Sequence, residues 1–185
     1  MRQFEKVSYE QFEKDFMSEF PESIYEEIQG IYEDLKLPAR ATDGSIGYDF
    51  FSPFKFDLKP GEEIKLPTGI KIELDPHLIV MTVDRDGVSL PLCVYEWLGI
   101  YPRSGQGFKH LRVANTVGVI DQDYYNNPKN EGHIWVKLVN GSPDKIFEFK
   151  AGEGFAQGII NLSLRTSNDQ GQSEQRSGGL GSTDA

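Results

Sequence analysis

Cysteine is almost missing from this 185-residue chain: Cys93 stands alone, which excludes an intrachain disulfide and any multi-cysteine metal centre. Basic residues are also few, 19 against 29 acidic ones, for a net charge of −10. That balance excludes bulk binding to nucleic acid or to an anionic membrane, both of which need a positive surface. It still permits one phosphate ligand held by a few placed arginines. No apolar run approaches the ~20 residues that cross a bilayer. Met1 to Val7 mixes charges with isolated apolar residues, unlike a secretory leader, so the expected compartment is the cytoplasm. His77, His110 and His133 lack a zinc-binding spacing, and neither a G-x-S-x-G elbow nor a lysine-bearing phosphate loop is present. Lone Cys93 reads as a small buried apolar side chain.

The length suits one domain with appendages, and the composition is that of a folded chain, 38% hydrophobic and 26% charged. Charge is unevenly spread. Between Ser8 and Lys36 nine acids face two bases, so this stretch carries −7 of the −10. Ile24, Ile28, Ile31 and Leu35 recur there at helical spacing, and Ser8-Tyr-Glu-Gln11 reads as a capping box. Two amphipathic helices are expected, about 9–18 and 22–35, with Pro21 suited to the first turn of the second. Such an acidic pair is either a cover on the domain's flank or a surface for a protein partner.

From Pro38 the pattern becomes short β-rich runs punctuated by Gly, Pro, Asn and Asp. The runs are 50–56, 63–66, 69–74, 78–83, 97–101, 111–114, 133–138, 145–149 and 155–162. Strands of that length and spacing indicate an all-β sandwich or barrel. Asp84-Arg-Asp-Gly87 reads as a hairpin turn, and Tyr95 stands where a calcium loop would need its last acidic ligand, which excludes calcium. Residues 166–185 form a glycine- and serine-rich tail whose one large apolar residue is Leu180. Its Arg176, glycines and hydroxyls could wrap a phosphate.

Between the strands sit Ile46-Gly-Tyr-Asp49, Pro102-Arg-Ser-Gly105, Gly118-Val-Ile-Asp-Gln-Asp-Tyr124, Gly152-Glu-Gly-Phe-Ala-Gln157 and Arg176-Ser-Gly-Gly-Leu-Gly-Ser-Thr183. Singly each reads as a turn. In this order they resemble the five motifs of the trimeric deoxyuridine triphosphate nucleotidohydrolase (dUTPase) family, over about Pro38 to Thr183. The resemblance implies a jelly-roll-like β-barrel, here with an acidic helical insertion at 8–36 in a domain spanning 1–165. It also implies a homotrimer with sites at subunit boundaries, and Mg²⁺-dependent hydrolysis of dUTP to dUMP and pyrophosphate. Asp121 matches the carboxylate that activates the attacking water, and Tyr124 the ring that lies against the deoxyribose. Asn115, Gly118 and Ile120 lie in the hairpin that reads uracil. Arg103, Ser104 and Gln157 match phosphate contacts, and Asp49 a carboxylate supporting the site. The tail residues Arg176, Gly179, Leu180, Gly181, Ser182 and Thr183 would close over the ligand. Magnesium would be held by phosphate oxygens and water, with no direct protein ligand.

The chain departs from the family at three motif positions. Leu180 stands where a phenylalanine normally stacks on uracil, Gly154 replaces the usual arginine of the fourth motif, and Ser177 replaces a glycine. The connection from His77 to Val94 is longer than usual. Two other readings share the fold. A dCTP deaminase would show R-S-S at the second motif and H-T-A before the Ile-Asp pair, where this chain has Arg103-Ser-Gly105 and Asn115-Thr-Val117. A regulatory binding protein would act through the acidic insertion. None of the five motifs lies inside that insertion, so it is expected to be dispensable for chemistry.

Overall fold

The computed structural model describes residues 1–75, 78–83, 85–87, 89–166 and 168. In chain order its elements are β1 (Gln3–Lys6), α1 (Tyr9–Glu19), α2 (Tyr25–Asp34), β2 (Tyr48–Phe51), β3 (Phe56–Leu58), β4 (Glu63–Pro67), β5 (Ile70–Glu73), β6 (Leu78–Val83) and β7 (Ser89–Pro102). There follow α3 (Ser104–Gly107), β8 (Leu111–Val113), β9 (Gly118–Asp121), a 3-10 turn (Gln122–Tyr124), β10 (Trp135–Asn140), β11 (Phe147–Phe149) and β12 (Gly154–Ser163).

Inward side chains alternate along these strands, as in β3 and β11, where both ends are buried and the middle residue is exposed. They meet in one core that includes Phe50, Leu66, Ile70, Leu98, Ile100, Leu111, Ile134, Leu138, Phe149 and Phe155. Around it the strands pair antiparallel as β1-β5, β4-β10-β8, β3-β11 and β2-β12-β7, with β6 and β9 both on β7. The fold is all-β and jelly-roll-like. β7 is its spine: Tyr95–Pro102 pair with β12, while Trp97–Ile100 also pair with β9. Among the described residues the start of β7 pairs with β6, so much of the long connection seen in the sequence is a two-stranded ribbon, with a turn at 85–87. Cys93, on this ribbon, is exposed rather than buried. The run 50–56 is two strands, because Ser52 and Pro53 break the ladder between β2 and β3.

The acidic stretch forms its two helices close to the expected bounds. The Ser8 hydroxyl accepts from the Gln11 N–H as an N-cap. Pro21 falls in the turn between the helices, not in the first turn of α2, whose N-cap is Ile24. The pair has its own core of Val7, Phe12, Phe16, Ile28 and Leu35. Phe54 packs against this cluster and against the barrel core, joining the two. Gly69, at φ +73°, makes the junction possible: a Cβ there would collide with Leu35 and press on the Phe12 ring. The charged faces point outward, and the apolar faces complete the protein's interior. Burying side chains the size of Phe12 and Phe16 is worth ~1.5–3 kcal/mol each.

Candidate active site

Three of the motifs converge. The segment before β2, the start of α3 and the first half of β12 border a cleft of about 650 Å³ lined by Ser45, Gly47, Asp49, Arg103, Ser104 and Gln157, among others. Antiparallel pairing brings them together: Gln157 is opposite Asp49 on one side and Tyr101 on the other, two residues before Arg103. Arg103 Nε lies 3.0 Å from Asp49 Oδ1, and its Nη1 donates to the Gly154 carbonyl at 3.2 Å. The Gln106 side chain donates to the same carbonyl, and Gln157 Nε2 donates to the Pro102 carbonyl. A guanidinium fixed at two points loses little freedom when it meets a phosphate. Ser104 is exposed beside it. Gly154, the departure from the family pattern, is buried against Arg103: a Cβ there would lie 2.9 Å from Nη1. Without a side chain at 154, Arg103 lies flat on the β12 backbone.

Asp121 lies elsewhere. Its Cα is opposite Trp97, six residues before Arg103 on β7, which at ~3.3 Å per residue is ~20 Å away. It lines a second cleft of about 430 Å³ with Tyr95, Trp97, Val119, Asp123 and Arg165, among others. The buried Trp97 Nε1 and Gln122 Oε1 have no hydrogen-bond partner among the described residues. Val119, on the same face, is half exposed.

The turn joining β8 to β9 presents Asn115 to solvent, and Val117 N–H donates to the Asn115 carbonyl at 2.6 Å. Thr116 has φ +65°, an uncommon conformation for a β-branched residue and one that stores strain at this tip. Gly118 is buried where a Cβ would press on Ile100 at 3.1 Å, and Ile120 packs on the core. Tyr124 is only 7% exposed. Its hydroxyl donates to the His133 carbonyl at 2.9 Å and accepts from Asn130 Nδ2 at 2.7 Å. Arg176, Gly179, Leu180, Gly181, Ser182 and Thr183, with the rest of the expected tail, lie outside the described residues. Sequence reasoning missed Gln106 and Lys109, which line the first cleft just after the second motif, and Trp97, placed beside Asp121 only by strand register.

No protein-family model matches the chain. Among curated proteins it is 34% identical over 152 residues to the deoxyuridine 5'-triphosphate nucleotidohydrolase of Lactococcus lactis, a match covering 82% of this chain and 89% of the relative. The chain belongs to the dUTPase family. The dUTPase of Dictyoglomus turgidum is also 34% identical, over 84% of this chain and 95% of its own length. Among solved structures, the dUTPase from Streptococcus mutans superposes with a TM-score of 0.58 at 28% identity, covering 89% of this chain and 98% of that one. A mutant dUTPase from a Staphylococcus aureus phage, solved with a structural Mg(II) ion, shares the fold at a TM-score of 0.57 and 16% identity, over 94% of this chain and 97% of its own. The acidic helices thus pack against a dUTPase-family barrel, and both clefts are bordered by motif residues. Among the described residues no helix is long and apolar enough to cross a membrane.

Proposed function

We propose that this protein hydrolyses dUTP to dUMP and pyrophosphate at a site shared between two copies of the chain. The observation that carries the shared site is the separation of Arg103, Asp49 and Gln157 in one cleft from Asp121 in another, ~20 Å along β7. A general base must come within ~3 Å of the water it deprotonates, so one chain cannot put both sets on one phosphate. A homotrimer with each cleft facing a neighbour's complementary one satisfies the geometry.

In this reading Asp121 takes a proton from a water that attacks the α-phosphorus. The bond from that phosphorus to the bridging oxygen breaks, and pyrophosphate leaves. Arg103, held by Asp49 and the Gly154 carbonyl, and Ser104 donate to phosphate oxygens on which charge develops. The backbone around Asn115 pairs with the uracil edge, which cytosine would mispair. The Tyr124 ring lies against C2′ and leaves no space for a ribose hydroxyl. Magnesium demands near-octahedral oxygen ligation and keeps several waters. Among the described residues no cluster of three or more His, Cys, Asp or Glu is placed to hold a metal ion; in this reading the ion would arrive with the triphosphate and water, where it would neutralise phosphate charge. The tail from 166 would close over the bound nucleotide. Such an enzyme belongs in the cytoplasm, where an exposed, unpaired Cys93 stays reduced.

Turnover of dUTP, dCTP, dTTP and UTP in ¹⁸O-labelled water tests this reading. Label should enter dUMP, with the other nucleotides consumed far more slowly. Label in pyrophosphate, or equal use of dCTP, would refute it. Asp121→Asn should lower kcat on the order of 10²-fold without unfolding the protein.

A further inference from the structure

The acidic insertion is physically tied to the loop that follows the third motif. Asn126–His133 folds back on Tyr124 through its own polar groups. The Asn127 side chain donates to the Tyr124 carbonyl at 2.8 Å, and the Asn130 side chain to the Tyr124 hydroxyl at 2.7 Å. The same hydroxyl donates to the His133 carbonyl. Two left-handed residues close the turn, Glu131 at φ +56° and Gly132 at φ +81°. At Gly132 a Cβ would lie 2.6 Å from the Tyr124 carbonyl.

Helix α1 grips this loop at two points. At its start, the Ser8 N–H donates to Glu131 Oε2 at 3.0 Å and the Ser8 hydroxyl donates to Oε1. Two turns on, Asp15 Oδ2 lies 2.6 Å from His133 Nδ1. His133 is fully buried, and its Nε2 accepts the Gly69 N–H at 2.7 Å. With Nε2 accepting, the ring proton sits on Nδ1 and donates to Asp15, which fixes both tautomer and ring plane. Removing that acceptor leaves a buried N–H unpaired, a cost that a shift of the loop would relieve.

We infer that Asp15 and Ser8 are positioning residues for Tyr124: the insertion sets the ring that screens the 2′ position of the sugar, and with it the choice of deoxyribonucleotide over ribonucleotide. The inference rests on the proposed dUTPase reading. It gives the acidic helices a role in specificity through the face they turn inward, beyond covering the barrel. A loop released at His133 lets the Tyr124 ring back away from C2′, so ribose is admitted while the water-activating Asp121, on β9, is undisturbed.

The test compares kcat/KM for dUTP and UTP in wild type, Asp15→Asn, Asp15→Ala and Ser8→Ala, with thermal melting and hydrogen exchange of residues 126–133 alongside. Asp15→Asn keeps an oxygen facing Nδ1 and should keep the wild-type dUTP/UTP ratio. Asp15→Ala should lower that ratio about tenfold or more, mainly through KM, with kcat for dUTP within about threefold and faster exchange in the loop. Ser8→Ala should give a smaller change in the same direction, and it serves as the reporter if Asp15→Ala does not fold. A folded Asp15→Ala protein with lower melting temperature but an unchanged ratio would overturn the inference and leave the dUTPase reading intact. Wild type that does not turn over dUTP would overturn both.

Discussion

If the catalytic carboxylate and the phosphate-holding arginine come from different chains, two dead variants should rescue each other. Asp121 and Arg103 flank a six-residue stretch of β7 and open into different clefts ~20 Å apart. In a closed ring each site would take one residue from each of two neighbours. Asp121→Asn and Arg103→Ala alone should each fall to roughly 1% of wild-type rate or less. Mixed at equal amounts, a site works when the neighbour giving Asp121 is the arginine variant and the neighbour giving Arg103 is the aspartate variant. Random assembly meets that condition in about one quarter of sites. Differently tagged chains, co-expressed and purified through both tags, should therefore recover activity well over tenfold above either parent. Pyrophosphate release measures it directly. Activity no higher than the parents', in assemblies shown to contain both chains, would refute the shared site.

Other expectations follow from the same contacts. Replacing Ser8–Lys36 by a Gly/Ser linker should abolish folding rather than spare activity, since it uncovers Val7, Phe54 and His133; Phe12→Ala alone should cost ~3–5 kcal/mol by urea denaturation. Burial pushes the Glu131 carboxyl up, but hydrogen bonds from Ser8 and the Lys71 ammonium outweigh it and hold the group below the usual carboxylate range. A lowered folded-state value stabilises the protein above the unfolded value of 4.5 and is lost as pH falls through the folded one. Melting temperatures from about pH 6 to pH 3 should fall more steeply for wild type than for Glu131→Gln. Truncation after Arg165 should leave the barrel folded and lower kcat on the order of tenfold or more; full kcat would show that the tail takes no part.

Local features were legible in the sequence because local forces set them. The Ser8 cap and the helical spacing of Ile28 and Leu35 need only neighbours within a turn or two, and both helices stand within a few residues of their expected ends. Strand bounds were less legible. β7 runs from Ser89 to Pro102, well beyond the expected 97–101, because its first half is held by β6, a partner that no window around Trp97 contains. The exposure of Cys93, expected to be buried, has the same origin: it lies on the β6–β7 ribbon, a pairing that no local window contains. At the site, the motifs named Asp49, Arg103 and Gln157, but the Gly154 carbonyl under Arg103 is a backbone contact that no residue type announces. The Asp15–His133 contact spans 118 positions, and neither residue carries a local signature of it. An insertion without motifs therefore looked separable when its inner face was already part of the interior.

That long span also has a consequence for how the chain is made. The helices at 9–34 leave the ribosome early, yet β1 must wait for β5, and Asp15 and Ser8 must wait for His133 and Glu131. At ~5–20 residues per second, 118 residues take roughly 6–24 s to synthesise. During that interval Phe12, Phe16 and Ile28 have no barrel to rest on, an invitation to self-association between nascent chains. The nine acidic residues of the segment repel their counterparts on neighbouring chains throughout that wait. Neutralising that negative face should therefore reduce soluble yield even where it leaves the finished protein's stability unchanged.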